Sequence, residues 1–137
     1  AKTKKYFDFI VMLQPTAPMR TSKDIEDVII KAVNFNFETV WTIFKVDHKF
    51  HPDKQLIIEK NKNLKYYSKS GHKIIARQQL KDSYIRNGLV YCYSRNALLK
   101  DNSILARNAG FVISNRYTVN IDTFDDLKEA EILMKSN

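Results

Sequence analysis

Apolar residues along this chain fall into runs with different periods. Phe7–Leu13 is continuous apart from Asp8 and has strand length, which predicts a strand buried on both faces, as in a parallel sheet. Thr21 and Ser22 then offer N-caps to a helix in which Ile25, Val28, Ile29 and Ala32 recur at helical spacing. Its first turns hold Asp24, Glu26 and Asp27, the charges that suit a helix N-terminus. Thr39–Val46 is β-branched and aromatic and predicts a second core strand. Strand, helix and strand in succession predict a βαβ unit, normally right-handed.

The spacing then changes. Leu56–Glu59 and Leu64–Ser68 flank Lys60-Asn61-Lys62-Asn63, the pattern of a hairpin with a polar turn. Gly71 interrupts before Ile74 and Ile75. Leu89–Tyr93 predicts a strand entered through Asn87-Gly88, and Ser94 can cap a short helix over Arg95–Lys100. Phe111–Ser114 and Val119–Ile121 read as short strands. Asp122 or Thr123 caps a last helix, where Thr123-x-x-Asp126 approximates a capping box and Leu127, Ala130, Leu133 and Met134 form the apolar stripe. The class predicted is α/β: a mixed, mostly parallel sheet with flanking helices. It forms a single domain over 1–137 with a basic, hairpin-like insertion at 49–75.

Composition narrows the function classes. At 137 residues the chain is one domain or a piece of one, and 44% hydrophobic with 28% charged content is ordinary for a soluble globular protein. No apolar run approaches the roughly 20 residues of a membrane span. Ala1–Lys5 lacks the apolar stretch of a signal peptide, and an alanine at position 1 suits a processed or excised chain. The single cysteine, Cys92, excludes an internal disulfide and suits a reducing cytoplasm, the expected location. Charge is uneven. Lys45 to Lys81 holds ten basic residues against three acids, so this segment carries +7 of the net +8. Such a patch favours phosphates, carboxylates, nucleic acid or a membrane surface, or is simply a solvated lysine-rich face.

Three polar clusters fall just after predicted strands or at loop ends, where open α/β sheets bind ligands. They are Gln14–Arg20, Arg77-Gln78-Gln79 running into Asn87-Gly88, and Asn120-Ile121-Asp122. LQPTAPMR, RQQL followed by NG-x-V-Y, and NIDTFDDL, in this order, resemble the acylneuraminate cytidylyltransferases, or CMP-sialic acid synthetases. The resemblance covers nearly the whole chain and implies a nucleotide-diphospho-sugar transferase-like fold. It also implies an activity: joining a nonulosonic (acylneuraminic-type) acid to CTP, giving CMP-sugar and pyrophosphate with Mg²⁺. The family's glycine-rich phosphate loop has no counterpart here. The chain is therefore expected to match the C-terminal two thirds of such an enzyme, either as a fragment that is inactive alone or as a relative that has lost transferase activity.

By the resemblance, Gln14, Thr16 and Arg20 serve the sugar from a loop stiffened by Pro15 and Pro18. Arg77 binds the substrate carboxylate, a task that suits a guanidinium fork, and Gln78 touches the sugar. Lys54 reaches the substrate from the basic segment. Asn87, Gly88 and Tyr91 line the floor, although Tyr91 is equally a core residue. Read without the resemblance, Gln14 is a loop-end hydrogen bond, and Arg20 and Arg77 are surface arginines. Asp122 and Arg77 are the implied catalytic residues.

The metal motif departs from the family. Where two aspartates usually hold Mg²⁺, this chain has Asn120 and Asp122, which removes one negative charge; Asp122 could instead be a helix cap. Ile85-Arg86 replaces a common Arg-Pro pair, shifting the arginine by one place. His48 and His51 lack further ligands for zinc, and Cys92 reads as core. No Ser-His-Asp triad is supported. The partners expected are CTP and an acidic nine-carbon sugar, in a homodimer joined through Lys49–Ile75, with no nucleic acid and no membrane. The alternatives are a non-catalytic acidic-sugar binding module and a basic nucleic-acid-interacting protein, the latter suggested by Tyr66 and Tyr67 among lysines.

Overall fold

The structure is a computed structural model that describes residues 6–100 and 104–136, so the Ala1–Lys5 segment lies outside it. Among the described residues the elements follow as β1 (Phe9–Met12), α1 (Ser22–Asn34), β2 (Thr39–Lys45), β3 (Leu56–Ile58), β4 (Leu64–Tyr66), β5 (Tyr84–Ser94), α2 (Arg95–Lys100), β6 (Ala109–Ile113) and α3 (Phe124–Lys135). The chain divides into two compact units, Ala1–Ile43 with Arg86–Asn137, and Phe44–Ile85.

The larger sheet has the order β1-β5-β2-β6. β1 runs antiparallel to β5, and β2 runs parallel to β6, so the sheet is mixed as expected. Both strands of the anticipated βαβ unit are present, with β5 lying between them. Val28 and Ala32 of α1, Val40 of β2, and Leu89, Val90 and Cys92 of β5 join Ala17 in one buried cluster. Burying each larger aliphatic side chain contributes about 1.5–3 kcal/mol. The buried Thr42 hydroxyl is fully used: it accepts from the Val90 amide at 2.9 Å and donates to its carbonyl at 3.2 Å.

Helix α1 starts where the sequence signals it. Thr21 Oγ1 accepts from the Asp24 amide, and the Asp24 carboxylate accepts in return from the Thr21 amide, a complete capping box. It ends at Phe35, and Asn36 turns the chain away with a φ of 52°. Helix α3 repeats the box with Thr123 and Asp126, making Thr123 the cap rather than Asp122. Three hydrogen bonds, two from Thr123 and one from the Asp122 amide, hold the Asp126 carboxyl below its usual range. Ser94 Oγ accepts from the Ala97 amide at the start of α2.

Four expectations are corrected. β1 is not buried on both faces: Phe9 and Val11 are half-buried against the core cluster, while Ile10 and Met12, on the opposite face, are exposed. Val119–Ile121 is not a strand, since its Ile121 amide donates to the Thr16 carbonyl of a loop. β5 is longer than predicted, and Asn87-Gly88 lies inside it rather than at its entrance. The α3 stripe is only partly used, with Ala130 buried, Leu133 half-buried, and Leu127 and Met134 exposed.

In the second unit β3 and β4 form the expected hairpin, with Leu56 opposite Tyr66 and Ile58 opposite Leu64. Lys62 takes a φ of 65° in its turn. All six strand residues are exposed. Burial falls instead on His51, Gly71 and Leu80. His51 Nδ1 accepts from the Asp53 amide, and Nε2 faces the Lys81 carbonyl at 2.9 Å, so the ring joins two turns as a neutral imidazole protonated on Nε2. Gly71 lies under the Tyr66 ring, where a Cβ would sit 2.6 Å from a ring carbon.

Candidate functional site

The loop after β1 is anchored from three sides. The Ala17 amide donates to the Gln14 carbonyl, closing a turn within the proline-bounded stretch. Arg20 Nη1 donates to the carbonyls of Gln14 (3.2 Å) and Leu89 (2.9 Å), tying the loop to β5. The Ile121 amide donates to the Thr16 carbonyl at 2.8 Å, tying it to the segment before α3. Arg20, expected to face a sugar, is thus placed as a brace between loop and strand.

These anchors bring two side-chain amides together. Gly88 has a φ of +77°, and a Cβ built there would lie 2.7 Å from both Gln14 Oε1 and Asn120 Oδ1. Glycine is needed on both counts: its backbone enters a region L-residues rarely adopt, and two polar side chains occupy the space a methyl would take. Asn120 Oδ1 is buried without a partner among the described residues, as is Asn87 Nδ2, while Asn87 Oδ1 accepts from the Leu89 amide. A buried polar atom without a partner costs stability and commonly awaits water or ligand.

A cavity of about 400 Å³ opens at this point. Its polar lining is Gln14, Thr16, Arg86, Asn120 and Asp122. Its apolar wall is Met12, Tyr91, Tyr93, Leu98 and Ile104. Tyr91 packs edge-on to Trp41 with ring centroids 5.3 Å apart, and the Arg86 guanidinium lies 6.0 Å from the same indole. Volume and lining suit a small polar ligand with an apolar face. In the sequence Arg86 reads as an arginine displaced by one place from the family's Arg-Pro pair. Its place on the cavity depends on strand register, which local pattern does not reveal.

Lys54, Arg77 and Gln78 belong to the second unit. Lys54 and Arg77 line a cavity of about 230 Å³ there, along with Tyr66, Ile74 and Ile75. Gln78 is exposed on the same turn. Its neighbour Gln79 fixes that turn instead, with Oε1 accepting from the amides of Ile75 (2.8 Å) and Ala76 (2.9 Å). Arg77 Nε donates to His48 Nδ1 at 3.1 Å. The hydroxyls of Ser68 and Ser70 hold the Asp53 carboxyl below its usual range. Cys92 is buried, and that burial pushes its thiol up, away from nucleophilic chemistry.

Among the described residues no group of three or more His, Cys, Asp or Glu side chains could hold a metal ion. Mg²⁺ usually needs only one or two carboxylates, with waters and phosphates completing its octahedron. Asp122 and Asn120 both line the cavity and supply one carboxylate and one side-chain amide, the minimal donor set for that pattern. Among the described residues no helix is long and apolar enough to cross a membrane.

No protein-family profile matches the chain. Among curated proteins it is similar to the post-translational flagellin modification protein B of Campylobacter coli, 33% identical over 140 residues. That match takes in 96% of this chain and 55% of the relative, so the chain spans about half the length of the curated relative it matches. Among solved structures it is similar to a Bacillus anthracis protein assigned as a glucose-1-phosphate thymidylyltransferase and solved with sucrose, at a TM-score of 0.56 and 14% identity. That likeness covers 95% of this chain and 56% of the other. The likeness is one of fold: this chain shares with that structure a mixed α/β sheet with flanking helices.

Proposed function

We propose that this chain supplies the sugar-binding part of a nucleotidyltransferase of the CMP-sialic acid synthetase type, which activates a nonulosonic acid with CTP. The observation that carries the reading is the convergence of Gln14 and Asn120 over Gly88 in a cavity shared with Asp122. An amide both donates and accepts, as sugar hydroxyls require, and the braced loop leaves little entropy to lose on binding. The nucleotidyltransferase-type fold and the motif order support it. The Campylobacter coli relative is named for flagellin modification, so the activated sugar would be bound for a flagellin.

Each residue has a role in this reading. Gln14, Thr16, Asn87, Gly88 and Tyr91 shape the sugar pocket, and Arg20 holds the loop. In the second unit, Arg77 is the guanidinium suited to a carboxylate, with Lys54 on the same cavity and Gln78 exposed on the same turn. Asn120 and Asp122 would hold Mg²⁺, which when bound would offset charge on the triphosphate and the leaving pyrophosphate. The three glycines of this sequence, Gly71, Gly88 and Gly110, sit respectively against Tyr66, Gln14 with Asn120, and Phe37. None is left to cradle a triphosphate. The exposed hairpin and basic segment, 49–75, would be covered by a second copy in a homodimer, as a lone two-stranded hairpin is marginal in water.

Calorimetric titration of the 137-residue chain tests the reading. N-acetylneuraminic acid should bind saturably, CTP should bind far more weakly, and Gln14→Ala should lose the sugar by about tenfold or more. Saturable CTP binding without any sugar binding would contradict it.

A further inference from the structure

The contact between Arg77 and His48 fixes more than a side-chain position. A guanidinium has five N–H donors and no acceptor, so at 3.1 Å Arg77 Nε must donate and His48 Nδ1 must carry a lone pair. The other ring nitrogen, Nε2, lies 3.6 Å from Asp82 Oδ1, which favours a proton there. Asp82 is fixed in turn by Lys45 Nζ at 2.7 Å, and that bond holds its carboxyl below the usual range, so it stays charged. Lys45, Asp82, His48 and Arg77 thus form a row that selects one neutral tautomer of the imidazole. The His48 side chain is 22% exposed, enough for a proton to reach it.

We infer that His48 is a positioning residue for Arg77: its neutral ring holds the guanidinium by Nε, leaving both terminal amino groups for a ligand carboxylate, and protonation of the ring releases the arginine. Once protonated, Nδ1 becomes a donor and two N–H groups face each other, so the hydrogen bond is lost and a second cation meets Arg77. The charges around the ring oppose one another. Asp82 and, on its own turn, Asp47 favour protonation, while Arg77, Lys45 and Lys49 resist it. The ligand class is a carboxylate-bearing sugar, and this step rests on the reading of Arg77 proposed above. His48 is not itself a group that touches the substrate.

Two measurements on the ¹⁵N-labelled chain test this between about pH 8 and about pH 5.5, where a sugar-acid carboxylate stays ionised and an imidazole ordinarily titrates. The first follows the Arg77 Nε–H signal alongside the His48 ring signals. The second measures calorimetric affinity for N-acetylneuraminic acid at both ends of the range, in the wild type, His48→Asn and His48→Ala. The Arg77 signal is expected to move with the His48 midpoint, and wild-type affinity to fall by about tenfold or more at the acid end. His48→Asn places an oxygen near the Nδ1 position that cannot be protonated, so it should bind at both pH values; His48→Ala should bind weakly at both. An Arg77 signal indifferent to the ring, or equal wild-type affinities at both ends, overturns the inference. If the wild type binds no sugar acid at either pH while Arg77 still follows His48, the acidic-sugar reading fails and the positioning contact stands.

Discussion

The two units are held together by different means. In the first, Val28, Val40, Leu89 and Val90 are fully buried, and α1 and the sheet close over a single apolar cluster. In the second, every hairpin residue is exposed, and the turns are joined by polar links: His51 between two backbones, Ser70 on Asp53, Lys45 on Asp82, and Gln79 on two amides. Apolar burial is non-directional and tolerates loss at the edges, whereas each polar link depends on one geometry. The first unit can therefore hold a cavity rigidly. The second leaves Ile58 at 74% and Ile75 at 93% exposure, surface that a partner would be expected to cover.

The largest expected effect lies in the first core. Leu89→Ala should cost about 2–5 kcal/mol in urea denaturation, because the cavity it leaves has rigid walls. Ile75→Ala should cost no more than about 0.5 kcal/mol in dilute solution. If the Ile75 cost grows with protein concentration, a second copy covers that surface and the contrast holds only for the monomer. Gly88→Ala comes next, at about 1–3 kcal/mol, since alanine must take a φ near +77° and push against Gln14 and Asn120. A neutral Gly88→Ala would mean that the two amides are not packed over that position.

The sequence signals that survived are local ones. Thr21 with Asp24, Thr123 with Asp126, and the hairpin around Lys60–Asn63 depend on neighbours a few residues apart, and all three formed. Features set by distant pairing were misread. Nothing near Phe7–Leu13 says that only the Phe9 and Val11 face of β1 will be packed, or that the Thr16 carbonyl will take the Ile121 amide and keep 119–121 out of a sheet. The site divides in the same way. The Gln14, Gly88 and Asn120 positions were visible as motifs. The Arg86 position on the cavity and the His48 contact to Arg77 required the folded register.

Two smaller effects separate the units further. His51→Ala leaves the Asp53 amide and the Lys81 carbonyl unpaired, at about 1–2 kcal/mol, and should speed amide exchange around Asp53 while core amides of β5 stay protected. Exchange that rises equally in both units would join them in one cooperative transition. The acid response of α3 should be smallest. The Asp126 carboxyl is depressed by the capping box, so its stabilisation is present above the unfolded carboxylate value near 3.9 and is lost as pH falls through the lower folded value. Asp126→Asn should lower stability slightly at neutral pH, where the ionised carboxylate caps the helix, and flatten the acid limb, so that the two proteins converge as pH falls through the folded value. An unaltered acid limb would show that the box does not hold in solution.

The decisive measurement is chemical-shift mapping of the ¹⁵N-labelled chain with N-acetylneuraminic acid. Saturable shifts should appear at the side-chain amides of Gln14 and Asn120 and at the Gly88 backbone, while β6 and the exposed face of α1 stay still. Shifts confined to the lysines of 45–81, falling away with added salt, would contradict a sugar site over Gly88 and leave only a charged surface.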